Sequence, residues 1–566
     1  MNFNQYISAV KEQLNQMSDS QKASWIYGQA RKIEERDRQE FLACLSGKES
    51  AGRRLSAEEI FQWCRKVEEG EVYFSAEIYE EFEEGAWESE LKGRYHDIFD
   101  LMPYLEHVKD ICCLWMENEE YEIAYQILDR ICQLEFRIEC EENDYMLKED
   151  PSYPNNLISL ENLKREKLLS INLDELSLML LYSCYQSVTG RKRLEAMHEY
   201  LVWGIGQKLV MTDVFAFGED LRESPHAFMT AWRSFLMEIS GDRSAELLVD
   251  ACVFLGGEQQ LLETARDNGS FHPYLYQAYC ERKYLSGQYQ NCVEAAREAI
   301  EHLDENKMIR GAIADIGAKA AKRLEDENAY ARFCLDAFWS EPSSWHLLRL
   351  FTLSNSSVIE KAKERLERIS TDLPEKRADS VEQKATFLYE REQKMIYQFL
   401  LGDYEPVLQY CKDEENYLGW SYGLKGMVIP LLLLYFKEDS TEGTKTRAES
   451  GIREQLEYRL RFECGEGVEF DPYLAAWKKA YKVPEEMRTQ WLEWLTEEVE
   501  QRTEAIVGGV RIKSYYKAAQ LIVMLGEIRE EQGEAGGQKE LIQYYLDKYS
   551  QRWALKKEIS KMARRW

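Results

Sequence analysis

The chain has 566 residues, 45% hydrophobic and 31% charged, with 34 Tyr, 21 Phe and 14 Trp, which describes a folded protein rather than an extended disordered one. Its formal net charge of -30 excludes broad electrostatic binding to DNA, RNA or anionic lipid, because such binding draws its affinity from clustered Lys and Arg. The 13 cysteines lie singly apart from Cys112 and Cys113, with no C-x-C or C-x-x-C cluster, so reduced and mostly buried thiols are expected rather than a zinc site or a disulfide framework.

The amino terminus, MNFNQYISAVKEQLNQMSDSQ, has neither the basic leader nor the continuous apolar segment of a signal peptide, and a cytoplasmic location is expected. From Glu68 to Glu90 there are ten acidic residues and no Lys or Arg. Within that stretch Phe74, Ile78 and Phe82 step by four, which predicts a helix with one apolar face and outward glutamates. Docking of this stretch on a basic partner, or imitation of a nucleic-acid backbone, is the competing reading. Next, YHDIFDLMPYLEHVKD places His96 and Asp100 four apart, a helical spacing that metal sites use, with His107 further on. Pro103 is expected to bend or end that helix before His107, and a structural or surface role is favoured for these histidines.

Helical periodicity dominates the remainder, and alternation at period two is nowhere sustained, so little or no sheet is expected. Connections are expected at residues 141–156, 354–358, 437–450 and 530–537. The segment His272 to Asp304 reads as a helical hairpin of the tetratricopeptide (TPR) kind. Tyr276 and Tyr279 face inward from the first helix, Gly287 and Tyr289 form the turn, and Cys292, Ala296 and Ala299 are small enough to let the second helix approach. A second copy has Gly402, Tyr404, Val407 and Cys411 in these places. A third has Glu119 where the glycine would be, then Tyr121, Ala124, Leu128 and Ile131.

The apolar run Met427 to Phe436 is about half of what a membrane span needs, contains Pro430, and reads as a buried core helix. In PEEMRTQWLEWLTEEVEQRTEAIVGG, Pro484 suits a first helical position, Met487, Trp491, Trp494, Leu495, Val499 and Ile506 form the apolar stripe, and Gly508 closes the helix. The last sixteen residues, QRWALKKEISKMARRW, carry six basic residues against one Glu. No G-x-S-x-G elbow is present, and the pairs Gly256-Gly257, Gly508-Gly509 and Gly536-Gly537 are not followed by Lys-Ser or Lys-Thr, so they read as helix ends rather than phosphate cradles.

Two segments resemble the helical region of bacterial SWIM zinc-finger proteins. One is QRTEAIVGGVRIKSYYKAAQLIVMLGEIREEQGEAGGQKELIQYYLDKYSQRWALKKEIS, with Arg511, Tyr515, Ala518 and Ala519; the other is RGAIADIGAKAAKRLEDENAYARFCLDAFWSEPSSWHLLRLFTLS, with Asn328, Ala329, Tyr330 and Pro342. The zinc motif of that family, C-x-C followed by C-x-H, is absent, so zinc and any nucleic-acid role tied to it do not carry over. The resemblance implies a bacterial intracellular helical-repeat scaffold.

The sequence therefore predicts an all-α protein, an irregular α-solenoid of TPR-like hairpins, in three regions. Residues 1–92 form an N-terminal helical region with the acidic segment, 93–355 the central repeats, and 356–566 the C-terminal repeats with a basic tail. The expected function is a non-catalytic scaffold or adaptor for a protein or peptide partner, with no catalytic, cofactor or metal residues, no direct nucleic-acid ligand and no membrane. The alternatives are a regulatory subunit of an enzymatic or nucleic-acid-processing system, or a cryptic metalloenzyme built on His96, Asp100 and His107.

Overall fold

A computed structural model describes residues 13, 16–32, 55–81, 90–139, 156–218, 221–354, 357–372, 381–419, 423–438, 445–460 and 470–563, the side chains of 19, 77–94 and 369–390 excepted. The chain divides into two compact units, Met1–Leu275 and Tyr276–Trp566.

The first unit contains α1 (Asp19–Ala30), α2 (Ala57–Glu68), β1 (Tyr73–Glu81), β2 (Glu90–His96), α3 (Leu101–Glu117), α4 (Tyr121–Cys132), β3 (Glu135–Glu139) and β4 (Leu157–Ser159). It continues with α5 (Leu160–Arg165), α6 (Leu173–Ser187), α7 (Gly190–Val202), α8 (Met211–Phe217), α9 (Pro225–Leu236) and α10 (Asp242–Asn268), and the boundary falls within α11 (Tyr274–Leu285). The second unit holds α12 (Tyr289–His302), α13 (Met308–Arg323), α14 (Glu327–Ser340), α15 (Ser344–Leu350), α16 (Ser357–Asp372), α17 (Val381–Leu400) and α18 (Glu405–Asp413). Then come α19 (Lys425–Phe436), α20 (Arg447–Arg459), α21 (Phe470–Ala480), α22 (Glu485–Thr503), α23 (Tyr515–Glu531), α24 (Gly537–Lys548) and α25 (Trp553–Met562).

The molecule is mostly helical, as expected, but it also contains a four-stranded sheet in the order β2-β1-β3-β4. The acidic stretch that reads as a helix is instead β1, paired antiparallel with β2 from Ser75↔His96 to Glu81↔Glu90 and parallel with β3 through Phe74↔Ile138. A step of four is also an even number, so it fits one face of a strand as well as one face of a helix, and Val72, Tyr73, Phe74, Ile78 and Tyr79 favour the extended form. Phe74 packs edge-on against Phe136 of β3, ring centroids 5.8 Å apart, and both are fully buried. Phe82 lies outside the described residues.

Asp97 begins α3. Its Oδ1 and Oδ2 accept from the backbone N–H groups of Leu101 and Met102 at 2.7 and 2.8 Å, and a carboxylate there also suits the positive end of the helix. Pro103 sits in the first turn, where its missing N–H breaks no bond, so α3 continues through His107 to Glu117 instead of ending early. Pro484 caps α22 from just outside rather than from its first position, and a π-helical turn, Glu504–Gly508, closes that helix. Of the glycine pairs, Gly256-Gly257 breaks α10 into two helical segments, with non-helical backbone at both residues, and Gly536 opens α24 rather than closing a helix.

All three predicted hairpin turns form, and one backbone feature unites them. Gly287 between α11 and α12 has φ +74°, Gly402 between α17 and α18 has φ +90°, and Glu119 between α3 and α4 has φ +60°. A left-handed residue reverses the chain in a single step, which glycine does without a Cβ penalty and Glu119 does at a cost. The turn from α13 to α14 repeats the device with Glu325 at φ +59°. In the α11/α12 hairpin Cys292, Ala296 and Ala299 are fully buried, and the Tyr276 hydroxyl donates to Glu298 Oε1 at 3.0 Å. Helices α12, α13 and α14 then pack in succession, meeting closely at Gly317. The run Met427 to Phe436 is α19, buried on nearly every side with Pro430 inside it, and it packs against α17, α20, α22 and α23.

The connection expected at 354–358 falls between α15 and α16, and that at 530–537 between α23 and α24. The one at 437–450 ends earlier, because α20 begins at Arg447. Apart from Asn156, the one at 141–156 lies outside the described residues.

Candidate functional site

A cleft of about 400 Å³ opens at the second hairpin joint, between α16 and the end of α17. Lys363, Leu366 and Glu367 recur at helical spacing and give one wall. Lys394, Gln398 and Leu401 give the other, and Gly402 with Asp403 closes the end. Leu366 and Leu401 are buried and form an apolar floor, while the charged and amide groups stand around it. The volume lies in the range of small-ligand and side-chain pockets, roughly 300–1,000 Å³.

The walls are held from behind. Arg365, on the far side of α16, donates from Nε to the Trp339 carbonyl at 2.8 Å and from Nη2 to Asn306 Oδ1 at 2.8 Å. The end of α17 is fixed by Trp477 Nε1, which donates to the Leu400 carbonyl at 2.8 Å, and by the Tyr481 hydroxyl, which donates to the Leu401 carbonyl at 2.8 Å. The Tyr481 ring lies so near Gly402 that a Cβ there would sit 2.7 Å from it. Glycine therefore serves both the left-handed turn and this close approach.

Two ammonium groups and two carboxylates face the cleft, and Lys363 also pairs with Glu360 on its own helix at 3.1 Å. Neither His nor Cys lines it, so it offers no thiol nucleophile and no imidazole for proton transfer. Its charged and amide groups can pair charges and hydrogen-bond around an apolar contact.

The residues of the metal hypothesis are placed elsewhere and are not arranged as one site. His96 ends a strand, so it does not share a helix face with Asp100, which precedes α3 in a left-handed conformation, φ 53°. His107 is exposed on α3. Among the described residues no group of three or more His, Cys, Asp or Glu side chains could hold a metal ion. The described cysteines are all free, and burial raises the thiol of Cys64 to about 12 and that of Cys113 to about 11, so these two are not thiolates near neutral pH. No helix among the described residues is long and apolar enough to cross a membrane.

Sequence reasoning identified the Gly402-Tyr404 joint but not the cleft beside it. Lys363, Leu366 and Lys394 carry no local signature, and only the tertiary pairing of α16 with α17 brings them together. No protein-family model matches the chain, and no curated protein matches it.

Proposed function

We propose that the protein is a non-catalytic helical-repeat scaffold, an irregular α-solenoid of TPR-like hairpins that binds a protein or peptide partner. The cleft between α16 and α17 carries this reading, since it sets charges of both signs around a buried leucine floor at a rigid hairpin joint. A partner side chain fits such a volume, and flanking polar groups of the partner find donors and acceptors on both walls. Four turns built on one left-handed residue support a repeating construction, and stacked hairpins offer long surfaces of fixed curvature. The resemblance of two segments to the helical region of SWIM zinc-finger proteins agrees with a scaffold role.

The test is site-specific photo-crosslinking in the native cell from position 398, with exposed Glu195 as the control position. Capture of one protein from Gln398, absent from the control and abolished by Lys363→Glu with Lys394→Glu, is the expected result. Identical captures from both positions would overturn the assignment.

A further inference from the structure

The last helix presents one buried and one exposed face. On α25, Leu555 and Ile559 are buried as the helix packs on α23. At about 100° per residue the opposite face presents Trp553, Lys556, Lys557, Ser560 and Lys561. All five are exposed. Trp553 is 73% exposed, an unusual position for the side chain with the largest apolar surface, and the Lys557 ammonium lies 6.0 Å from its ring centre. The helix sets three lysines on this face against one carboxylate, Glu558, which pairs with Lys561 at 2.6 Å.

This local excess stands against a chain of net charge -30. Screening limits the reach of exposed charges to about 8 Å at physiological ionic strength, so the face acts on whatever lies directly over it. A long phosphate polymer would extend beyond the lysines and meet the acidic remainder of the chain. A short acidic segment would not, and Trp is the residue type most enriched where binding energy concentrates in protein interfaces.

We propose that the exposed face of α25 docks a short acidic segment of a partner protein, its carboxylates meeting Lys556, Lys557 and Lys561 while an apolar side chain covers Trp553. This rests on the scaffold reading but uses none of the cleft residues, so the two can fail separately.

The probe is a fluorescein-labelled peptide of glutamates flanking a single leucine, titrated with the full chain by fluorescence anisotropy at low and physiological salt. The same peptide with Gln for Glu and a labelled single-stranded oligonucleotide form the other arms. Expected is binding of the acidic peptide alone, weakened about tenfold or more by Lys556→Glu with Lys557→Glu and to a similar degree by Trp553→Ala, in keeping with the loss of paired charges and of an aromatic anchor. Lys363→Glu with Lys394→Glu should leave it unchanged. Circular dichroism melting checks that the variants fold, and the single Trp553→Ala change decides the matter if the double variant does not. No binding, equal binding of the Gln peptide, tighter binding of the oligonucleotide, or no loss in the variants overturns the proposal. So does a dimer in sedimentation velocity that the lysine variants dissociate, because the face would then belong to a second copy.

Discussion

His346 and Asp315 join α15 to α13, with Nε2 of the ring 2.8 Å from Oδ2, while Nδ1 meets the Glu341 carbonyl at 2.7 Å. The carbonyl can only accept, so Nδ1 donates to it. Asp315 Oδ1 also lies 2.6 Å from Arg349 Nη2, an ion pair whose N–H is not aligned on the oxygen, and Arg349 stacks on Trp345 at 5.2 Å. Burial pushes the Asp315 carboxyl up, but the His346 hydrogen bond and the charges of Arg349 and His346 outweigh it and hold it below the ordinary carboxylate range.

Asp315→Asn is therefore expected to destabilise the second unit by about 3–5 kcal/mol, because it leaves a buried guanidinium without its counter-charge. The sign of the pH effect follows from the depressed carboxyl. As acid is added the unfolded chain takes up this proton first, so the contribution is full above the unfolded value near 3.9 and is lost as pH falls through the lower folded value. Urea unfolding of both proteins from about pH 6 to about pH 2 should show their difference shrinking only at the acid end.

Glu527 should behave in the opposite sense. Burial raises its carboxyl to about 7 against the pull of Lys437 and a hydrogen bond from Thr446, with Glu449 and Glu531 adding to the rise. Lys437 Nζ stands 3.8 Å from Glu527 Oε2 and also pairs with Glu531. The folded chain holds this proton to higher pH than the unfolded one, so the contribution is full below the unfolded value and is lost as pH rises through about 7. Glu527→Gln should gain stability relative to the parent between pH 5 and 8, by up to about 3 kcal/mol, as read from the midpoint of urea unfolding.

The hairpin turns give a graded set of substitutions. Gly287→Ala meets no atom within 4 Å and should cost only the left-handed strain, about 1 kcal/mol. Gly402→Ala adds the collision with Tyr481 and should cost roughly 2–3 kcal/mol. Glu119→Gly and Glu325→Gly release strain already present and should be neutral or stabilising by up to about 1 kcal/mol. Thermal melting of the four variants tests the order, and a melting point lower for Gly287→Ala than for Gly402→Ala would refute it.

Gly317 lies where three helices come together. A Cβ there would sit 2.9 Å from Phe333 Cε1 on α14 and 3.0 Å from Ala296 Cβ on α12. Gly317→Ala gains about 1 kcal/mol of helix propensity but should still be destabilising, because overpacking costs about 1–3 kcal/mol. Adding Ala296→Gly should recover part of the loss, as a double-mutant cycle in urea can measure.

The sequence disclosed what short-range spacing encodes. Cys292, Ala296 and Ala299 announce a close helix pair because small residues one turn apart have few other uses, and Leu431 to Leu434 announce burial by composition. The strand β1 was not legible, since Phe74, Ile78 and Phe82 step by an interval common to both periodicities and the partner strand β3 lies far along the chain. Asp315, His346 and Arg349 look like surface residues in the sequence, yet His346 and Arg349 are buried against a half-buried Asp315, because only tertiary packing decides which polar residues are enclosed. The cleft was hidden for the same reason, with Lys363 and Lys394 brought face to face across the α16/α17 junction.

The four hairpin turns share a handedness and not a residue, glycine in two and glutamate in two. A pattern search keyed to glycine would therefore miss the joints at Glu119 and Glu325. Joints of this sort are better recognised by torsion angle than by letter, and relatives that have replaced both glycines could keep the same architecture while sharing almost no visible motif with this one.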